Sequence, residues 1–140
     1  AELGIDTSGI ELHDGSGLAR TNRISPQNLL AVLRAAIETD PVRLWPVYTG
    51  LPVAGFEGSL ANRFAAADAR TGRGAVTGKT GTLTGTSTLA GLVSDRDGQL
   101  LTYAVMTNDV SVWSASPAID ELMARVAGCR CATEEASPEA

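Results

Sequence analysis

The chain has 140 residues, 44% of them hydrophobic and 19% charged, with a formal charge of −5. Those values suit one packed domain and leave no basic face for a nucleic-acid partner. Three of the acids, Glu134, Glu135 and Glu139, fall in an Ala/Ser/Pro-rich end, so the remaining body is near −2 and its charge selects no ligand.

In chain order, Ala1-Glu2-Leu3-Gly4-Ile5 starts without Met and reads as the last turn of a helix with a Gly stop. No charged n-region followed by an apolar h-region is present, and no apolar run approaches the ~20 residues of a membrane span. Asp14-Gly15-Ser16-Gly17 reads as a turn. Ser25 as N-cap and Pro26 at the first helical position open a helix. Leu29, Leu30, Leu33 and Ile37 recur at helical spacing along it until Asp40-Pro41. Ser59 can cap a short helix through Phe64, with Leu60 and Phe64 inward.

Three β-rich runs follow, at 75–83, 87–94 and 100–108, joined by a turn at Gly85 and another at Asp95-Arg96-Asp97-Gly98. They predict a three-stranded antiparallel meander. Ser116-Pro117 opens a last helix that buries Ile119, Leu122, Met123 and Val126 and ends at Gly128. The expected fold is α/β in the broad sense (α+β), an antiparallel sheet flanked by helices, with one domain over 1–131 and a flexible tail over 132–140.

Lys79 is the only lysine, beside ten arginines. Arginine stays protonated and forked, whereas lysine is a compact, tunable point charge. The arginine bias also fits a GC-rich genome. The segment Gly78-Lys79-Thr80-Gly81-Thr82-Leu83-Thr84-Gly85 invites a phosphate-loop reading, which fails. That loop needs a glycine five residues before Gly78, where Arg73 stands, and a helix beginning at the lysine. The following residues are β-branched and broken by glycine.

On a strand, Lys79 has a different use. An edge strand offers free N–H and C=O groups to an extended peptide. Lys79, Thr80 and Thr82 then supply a cation and two hydroxyls for a peptide carboxylate, and Gly81 removes a side chain where a ligand backbone approaches. The plain alternative is a solvated lysine that guards the edge, with Thr80 and Thr82 as ordinary β-formers.

With its ordered neighbours, this motif resembles the penicillin-recognising serine D,D-peptidases and β-lactamases. More narrowly, the chain resembles the D-alanyl-D-alanine carboxypeptidase/endopeptidase family S13, of the penicillin-binding protein 4 type. The matching stretches are His13-Asp14-Gly15-Ser16-Gly17-Leu18-Ala19-Arg20 with Asn22-Arg23-Ile24-Ser25-Pro26, Leu51-Pro52-Val53-Ala54-Gly55 with Gly58-Ser59-Leu60 and Arg63, and the strand from Lys79. The resemblance covers about residues 11–110.

The resemblance implies the C-terminal part of a transpeptidase-like domain, with helices on both faces of the sheet. It implies substrate-binding roles for Lys79, Thr80, Gly81, Thr82 and Leu83, and a place beside the cleft for Ser16, Leu18 and Arg20. For Arg20 it leaves open a pocket role, reading a second ligand carboxylate, and a structural ion-pair or loop role. The implied partners are peptidoglycan stem peptides and β-lactams, outside the cytoplasmic membrane. No metal or organic cofactor is implied.

Two family motifs are absent. Such enzymes carry a nucleophilic serine three residues before a lysine, and Val76 stands three before the only lysine. No serine has asparagine two residues on. The chain therefore reads as the C-terminal piece of a longer enzyme, with the catalytic serine, its lysine and the remaining partner surface upstream. A β-lactamase piece and a non-catalytic peptidoglycan-binding module are the alternatives; the Leu51–Gly55 and Asp14–Leu18 stretches favour the peptidase. His13 beside Asp14 tempts a dyad reading, but a lone histidine without an elbow serine reads as structural. No metal site is expected. Cys129 and Cys131 stand too close for an easy mutual disulfide, and in an exported protein they bridge to other parts of the polypeptide or to each other under strain.

Overall fold

The computed structural model describes residues 3–38 and 41–131. The expected helix end at the N-terminus lies partly outside the described residues, and the expected tail over 132–140 lies wholly outside them.

Helix α1 (Pro26–Glu38) begins as the sequence predicts. The Ser25 hydroxyl accepts the Asn28 N–H at 3.1 Å while the Asn28 side-chain oxygen accepts the Ser25 N–H at 3.1 Å. This reciprocal cap satisfies donors that a helix start leaves free. A second helix, α2 (Pro41–Thr49), follows directly, where the sequence reading has only a stop. Tyr48 ties it back by donating to the Leu33 carbonyl at 2.9 Å.

The expected helix over 59–64 is instead a single 3₁₀ turn at Gly58–Leu60. Phe64, the last residue of the expected helix, takes a left-handed backbone conformation (φ +58°), which an α-helix cannot include. Leu60 and Phe64 are nonetheless buried as expected.

Strands β1 (Val76–Leu83), β2 (Thr86–Ser94) and β3 (Leu100–Asn108) form an antiparallel sheet in the order β1-β2-β3. Gly85 (φ +81°) supplies the left-handed residue of the tight first hairpin. Residues alternate between the faces. Val76, Leu89, Val93 and Tyr103 face a core completed by Ile119, Met123 and Ala124 of helix α3 (Val112–Ala127), with Leu60 and Phe64. Helix α1 packs on β3, and its buried Leu33, Ala35 and Ala36 stand outside that core, closing the other face.

Helix α3 starts at Val112, before the expected Ser116-Pro117 opening, and carries Pro117 inside it. Ser111 precedes the first turn, whose Ser114 and Ala115 N–H groups donate to the Ser111 carbonyl. Leu122, expected in the core, is 48% exposed.

The sheet closes tightly near Lys79. Gly78 and Gly91 are cross-strand partners, and a Cβ on Gly91 would fall on the Thr77 carbonyl and 2.6 Å from Gly78 Cα. The Tyr103 side chain crosses this glycine pair, and its hydroxyl donates to the Thr77 carbonyl at 3.0 Å. Burial raises the Tyr103 pKa, because the phenolate would be formed away from water.

Candidate active-site edge

Strand β1 is an edge strand, but only half of that edge is free. Val53 forms an isolated antiparallel bridge with Thr77. The Ala54 N–H donates to the Val76 carbonyl at 2.9 Å, and the Gly78 N–H to the Pro52 carbonyl at 3.0 Å. These bonds fix which backbone groups point outward: those of Val76 and Gly78 and, by alternation, Thr80 and Thr82. Beyond Gly78 the outer row is open. Among the described residues the N–H groups of Thr80 and Thr82 have no protein acceptor.

Alternation also separates the side chains that the sequence reading groups together. Thr80 and Thr82 lie on the α3 face with Val76, and Lys79 and Gly81 lie on the α1 face. The Lys79 ammonium bends back to the edge and donates to the outward Thr80 carbonyl at 2.7 Å. The Thr80 hydroxyl donates to Ser59 Oγ at 2.9 Å, a partner that no strand pattern signals. The side-chain space at Gly81 is taken by the Thr88 hydroxyl of β2, so this glycine relieves a cross-strand contact within the sheet. Leu83 ends the strand opposite Thr86 and is half-buried.

The 13–22 loop is organised by Asp14. Its carboxylate accepts from the Ser16 hydroxyl at 2.5 Å, the Asn22 amide at 2.7 Å, and the Leu18 and Ala19 N–H groups at 3.0 and 3.2 Å. The Ser16 and Asn22 hydrogen bonds hold its pKa well below the usual carboxylate range. The His13 N–H donates to Asn22, and the Asp14 contacts do not include the imidazole, so no His-Asp dyad forms. Ser16 is occupied by Asp14, and Leu18 is 67% exposed. Arg20 does reach the edge strand: both terminal guanidinium nitrogens donate to the Thr84 carbonyl, at 3.2 and 3.3 Å. Of the three loop residues, Arg20 is the one bonded to the end of β1.

With an outward-facing edge from Thr80 to Thr82, a lysine folded onto it and the 13–22 loop fastened at its end, kinship becomes informative. The model of the D-Ala-D-Ala carboxypeptidase 3 (S13) family matches residues 1–128. The chain belongs to that family. It is 43% identical over 130 residues to carboxypeptidase DacB of Mycolicibacterium smegmatis, covering 92% of this chain and 28% of that protein. It is 38% identical over 132 residues to carboxypeptidase Rv3627c of Mycobacterium tuberculosis, again covering 92% and 28%. Its fold matches penicillin-binding protein 4 (dacB) of Haemophilus influenzae with a TM-score of 0.75 and 23% identity, over 87% of this chain and 28% of that one. A second structure of that protein is a complex with a β-lactam. The chain thus spans a little over a quarter of the length of these relatives.

Within this S13 chain, Arg63 forms a part of the site's support that the motifs do not explain. Its guanidinium grips Asp120 of α3 through Nε and Nη2 at 2.7–3.0 Å and donates to the Ser116 carbonyl at 3.0 Å. Asp120, 6% exposed, also accepts the Phe64 N–H at 3.1 Å, holding that residue in its left-handed conformation. The pair fastens the 57–64 segment to α3 and thereby positions Ser59 against Thr80. A groove of about 840 Å³ opens between residues 62–69 and the first half of α3, with Thr82 at its sheet end.

At the far end of α3, Cys129 and Cys131 are bonded to each other, with Cα atoms 5.5 Å apart. That separation lies in the ordinary disulfide range, so the one-residue spacing does not force the bridge elsewhere in the polypeptide. Asp95 stands beside them and accepts the Cys131 N–H at 3.2 Å. Among the described residues these three form the one group with metal-ligand spacing, and the bonded sulfurs offer it no thiolate.

Proposed function

We propose that this chain supplies the substrate-holding strand of a serine-type D-alanyl-D-alanine carboxypeptidase/endopeptidase acting on peptidoglycan stem peptides. The observation that carries this reading is the open β1 edge, with outward Thr80 and Thr82 N–H groups beside the Lys79 ammonium. A peptide terminus laid along that edge gains main-chain hydrogen bonds, and its carboxylate takes the ammonium from the Thr80 carbonyl. The Thr80 and Thr82 hydroxyls fix the terminus from the other face. The kinship with proteins named as carboxypeptidases supports the same reading.

The nucleophile lies outside this sequence, whose one lysine follows Val76 by three residues. In the assembled enzyme a serine attacks the carbonyl between two D-alanines, its proton passes to a base, and the terminal D-alanine leaves as amine. The Thr82 N–H stands ready as one oxyanion donor, a role worth several kcal/mol in acyl transfer. Water then hydrolyses the acyl-enzyme. β-Lactams, present on one structural relative, enter by the same edge. The setting for this chemistry is outside the cytoplasmic membrane. Arg20 exchanges the Thr84 carbonyl for a side-chain carboxylate of the peptide, and the Ser16–Leu18 turn borders the cleft.

The test incubates the chain with a labelled penicillin and with a peptide ending in D-Ala-D-Ala. Reversible, saturable binding of the peptide with no covalent penicillin adduct by mass spectrometry is expected. A covalent adduct would place a nucleophile in this chain, and no binding of either would remove the edge from the reaction.

A further inference from the structure

The loop between β2 and β3 grips the end of α3 at two points. The Arg96 N–H donates to the Cys129 carbonyl at 3.1 Å, and the Asp95 carboxylate accepts the Cys131 N–H at 3.2 Å. These backbone bonds hold the two cysteines beside the loop whether or not their sulfurs are joined. The same carboxylate accepts the Asp97 and Gln99 N–H groups at 2.9 and 2.8 Å, which fixes its orientation. Both sulfurs and a carboxylate oxygen lie within 4.8 Å of one another. Asp95 and Cys131 meet across 36 positions of sequence, so no local spacing signals the group.

The carboxylate has capacity left for a cation. Asp95 is 7% exposed, and among the described residues it forms no ion pair. Of the roughly four lone-pair sites on a carboxylate, its three N–H partners occupy three. Buried charges are ordinarily paired or bound to a metal, and this one is held by neutral donors alone. Two thiolates and one carboxylate form a donor set suited to Zn²⁺, with the fourth tetrahedral position left to water. Sulfurs around such an ion stand about 3.8 Å apart, a span within reach of cysteines whose Cα atoms are 5.5 Å apart.

We propose that reduction of the Cys129–Cys131 bond turns this cluster into a redox-gated Zn²⁺ site, with both thiolates and Asp95 as its ligands. Cys131 is exposed and Cys129 half-buried, so an external thiolate attacks the Cys131 sulfur and Cys129 leaves as thiolate. A second external thiol completes the exchange. The protein disulfide thereby gains two electrons and two protons, and the two external thiols leave joined as a disulfide. The two cysteine thiols then lose their protons to water as they bond the ion. Oxidation of the pair releases it. This site is independent of the β1 edge and of the peptide reading above.

The test uses the full chain, either oxidised or reduced with a phosphine that is then removed, with oxygen excluded. Cd²⁺ is the probe, followed by its thiolate charge-transfer absorbance, and Zn²⁺ is the competitor. The reduced chain should bind one Cd²⁺, displaceable by Zn²⁺, and the oxidised chain none. Cys131→Ala, which keeps the N–H bonded to Asp95, should abolish one-to-one binding. Asp95→Asn should weaken binding about tenfold or more, since even a residue behind a metal ligand commonly counts for that much. If Asp95→Asn disturbs the loop, the wild-type carboxylate carbon signal of Asp95 and the amide signals of Asp97 and Gln99 report the same ligand, and they should shift with Zn²⁺. Four results would overturn the site: no binding to the reduced chain, equal binding to the oxidised chain, one ion shared by two chains, or binding that leaves the Asp95 signal unmoved.

Discussion

Lys79 and Thr80 stand on opposite faces of β1, yet the Lys79 ammonium donates to the Thr80 carbonyl at 2.7 Å. The side chain thus crosses from its own face to the strand's outer edge. The free chain holds its one lysine where an incoming carboxylate would displace a backbone oxygen. Binding then trades a neutral acceptor for a charged one, and charge-assisted hydrogen bonds are about twice as strong as neutral ones.

Lys79→Ala should therefore weaken binding of a D-Ala-D-Ala peptide about tenfold or more, since a hydrogen bond to a charged group contributes ~1.5–3 kcal/mol. Lys79→Arg should recover only part of this, because a longer planar fork does not occupy the same point. Calorimetric titration of the three proteins checks both statements. Unchanged affinity in Lys79→Ala would remove the lysine from the site.

The strands were legible because β-branched residues and turn glycines recur at short range. The expected runs differ from the observed ones by a residue at most, and 100–108 coincides with β3. Helix α2 was hidden by its own composition, with prolines at its start and at Pro46, which local rules read as breakers. Pro117 similarly suggested a later start for α3, although tertiary contacts at Arg63, Asp120 and Ser116 hold the helix there. At the site, the lysine was legible from its rarity. Its partners were not: Ser59 meets Thr80 across 21 positions of sequence, and Val53 blocks half the edge through a single bridge. Such pairings depend on tertiary closure and leave no local period.

Arg20 tests a choice between ligand and scaffold. Its present contact, the Thr84 carbonyl, is a scaffold contact. If it also reads a side-chain carboxylate, peptides carrying that group should bind several-fold tighter than those without it, and Arg20→Ala should lose the preference while keeping affinity for the plain peptide. Equal loss on both peptides assigns Arg20 to loop positioning alone.

The Arg63–Asp120 pair should be costly to break from one side. Asp120→Ala strands a guanidinium 19% exposed and leaves the Phe64 N–H without its acceptor, and Arg63→Ala strands a carboxylate 8% exposed. Each should lower stability by about 3–5 kcal/mol. Urea denaturation of the two variants measures this, and losses below about 1 kcal/mol would show that water replaces the partner.

Two ionisations should mark opposite ends of the stability profile. The depressed pKa of Asp14 means that its carboxylate contributes fully above the unfolded value of about 4, and that the contribution fades as pH falls below it. The raised pKa of Tyr103 means that folding retains its proton, so stability declines as pH rises above about 10. Asp14→Asn should flatten the acid side and Tyr103→Phe the alkaline side. The second change should also cost about 1 kcal/mol at neutral pH, through loss of the bond to the Thr77 carbonyl.

The most direct test of the edge as the binding element is hydrogen exchange read amide by amide, with and without a saturating D-Ala-D-Ala peptide. Among the described residues both outer strands of the three-stranded sheet have an unpaired outer edge, β3 and, beyond Gly78, β1, and Lys79 stands beside that of β1. The Thr80 and Thr82 N–H groups should gain protection and shift on binding, while the outward amides of β3 stay unchanged. Saturable binding that protects β3 amides, or that leaves Thr80 and Thr82 exchanging as freely as before, would contradict it.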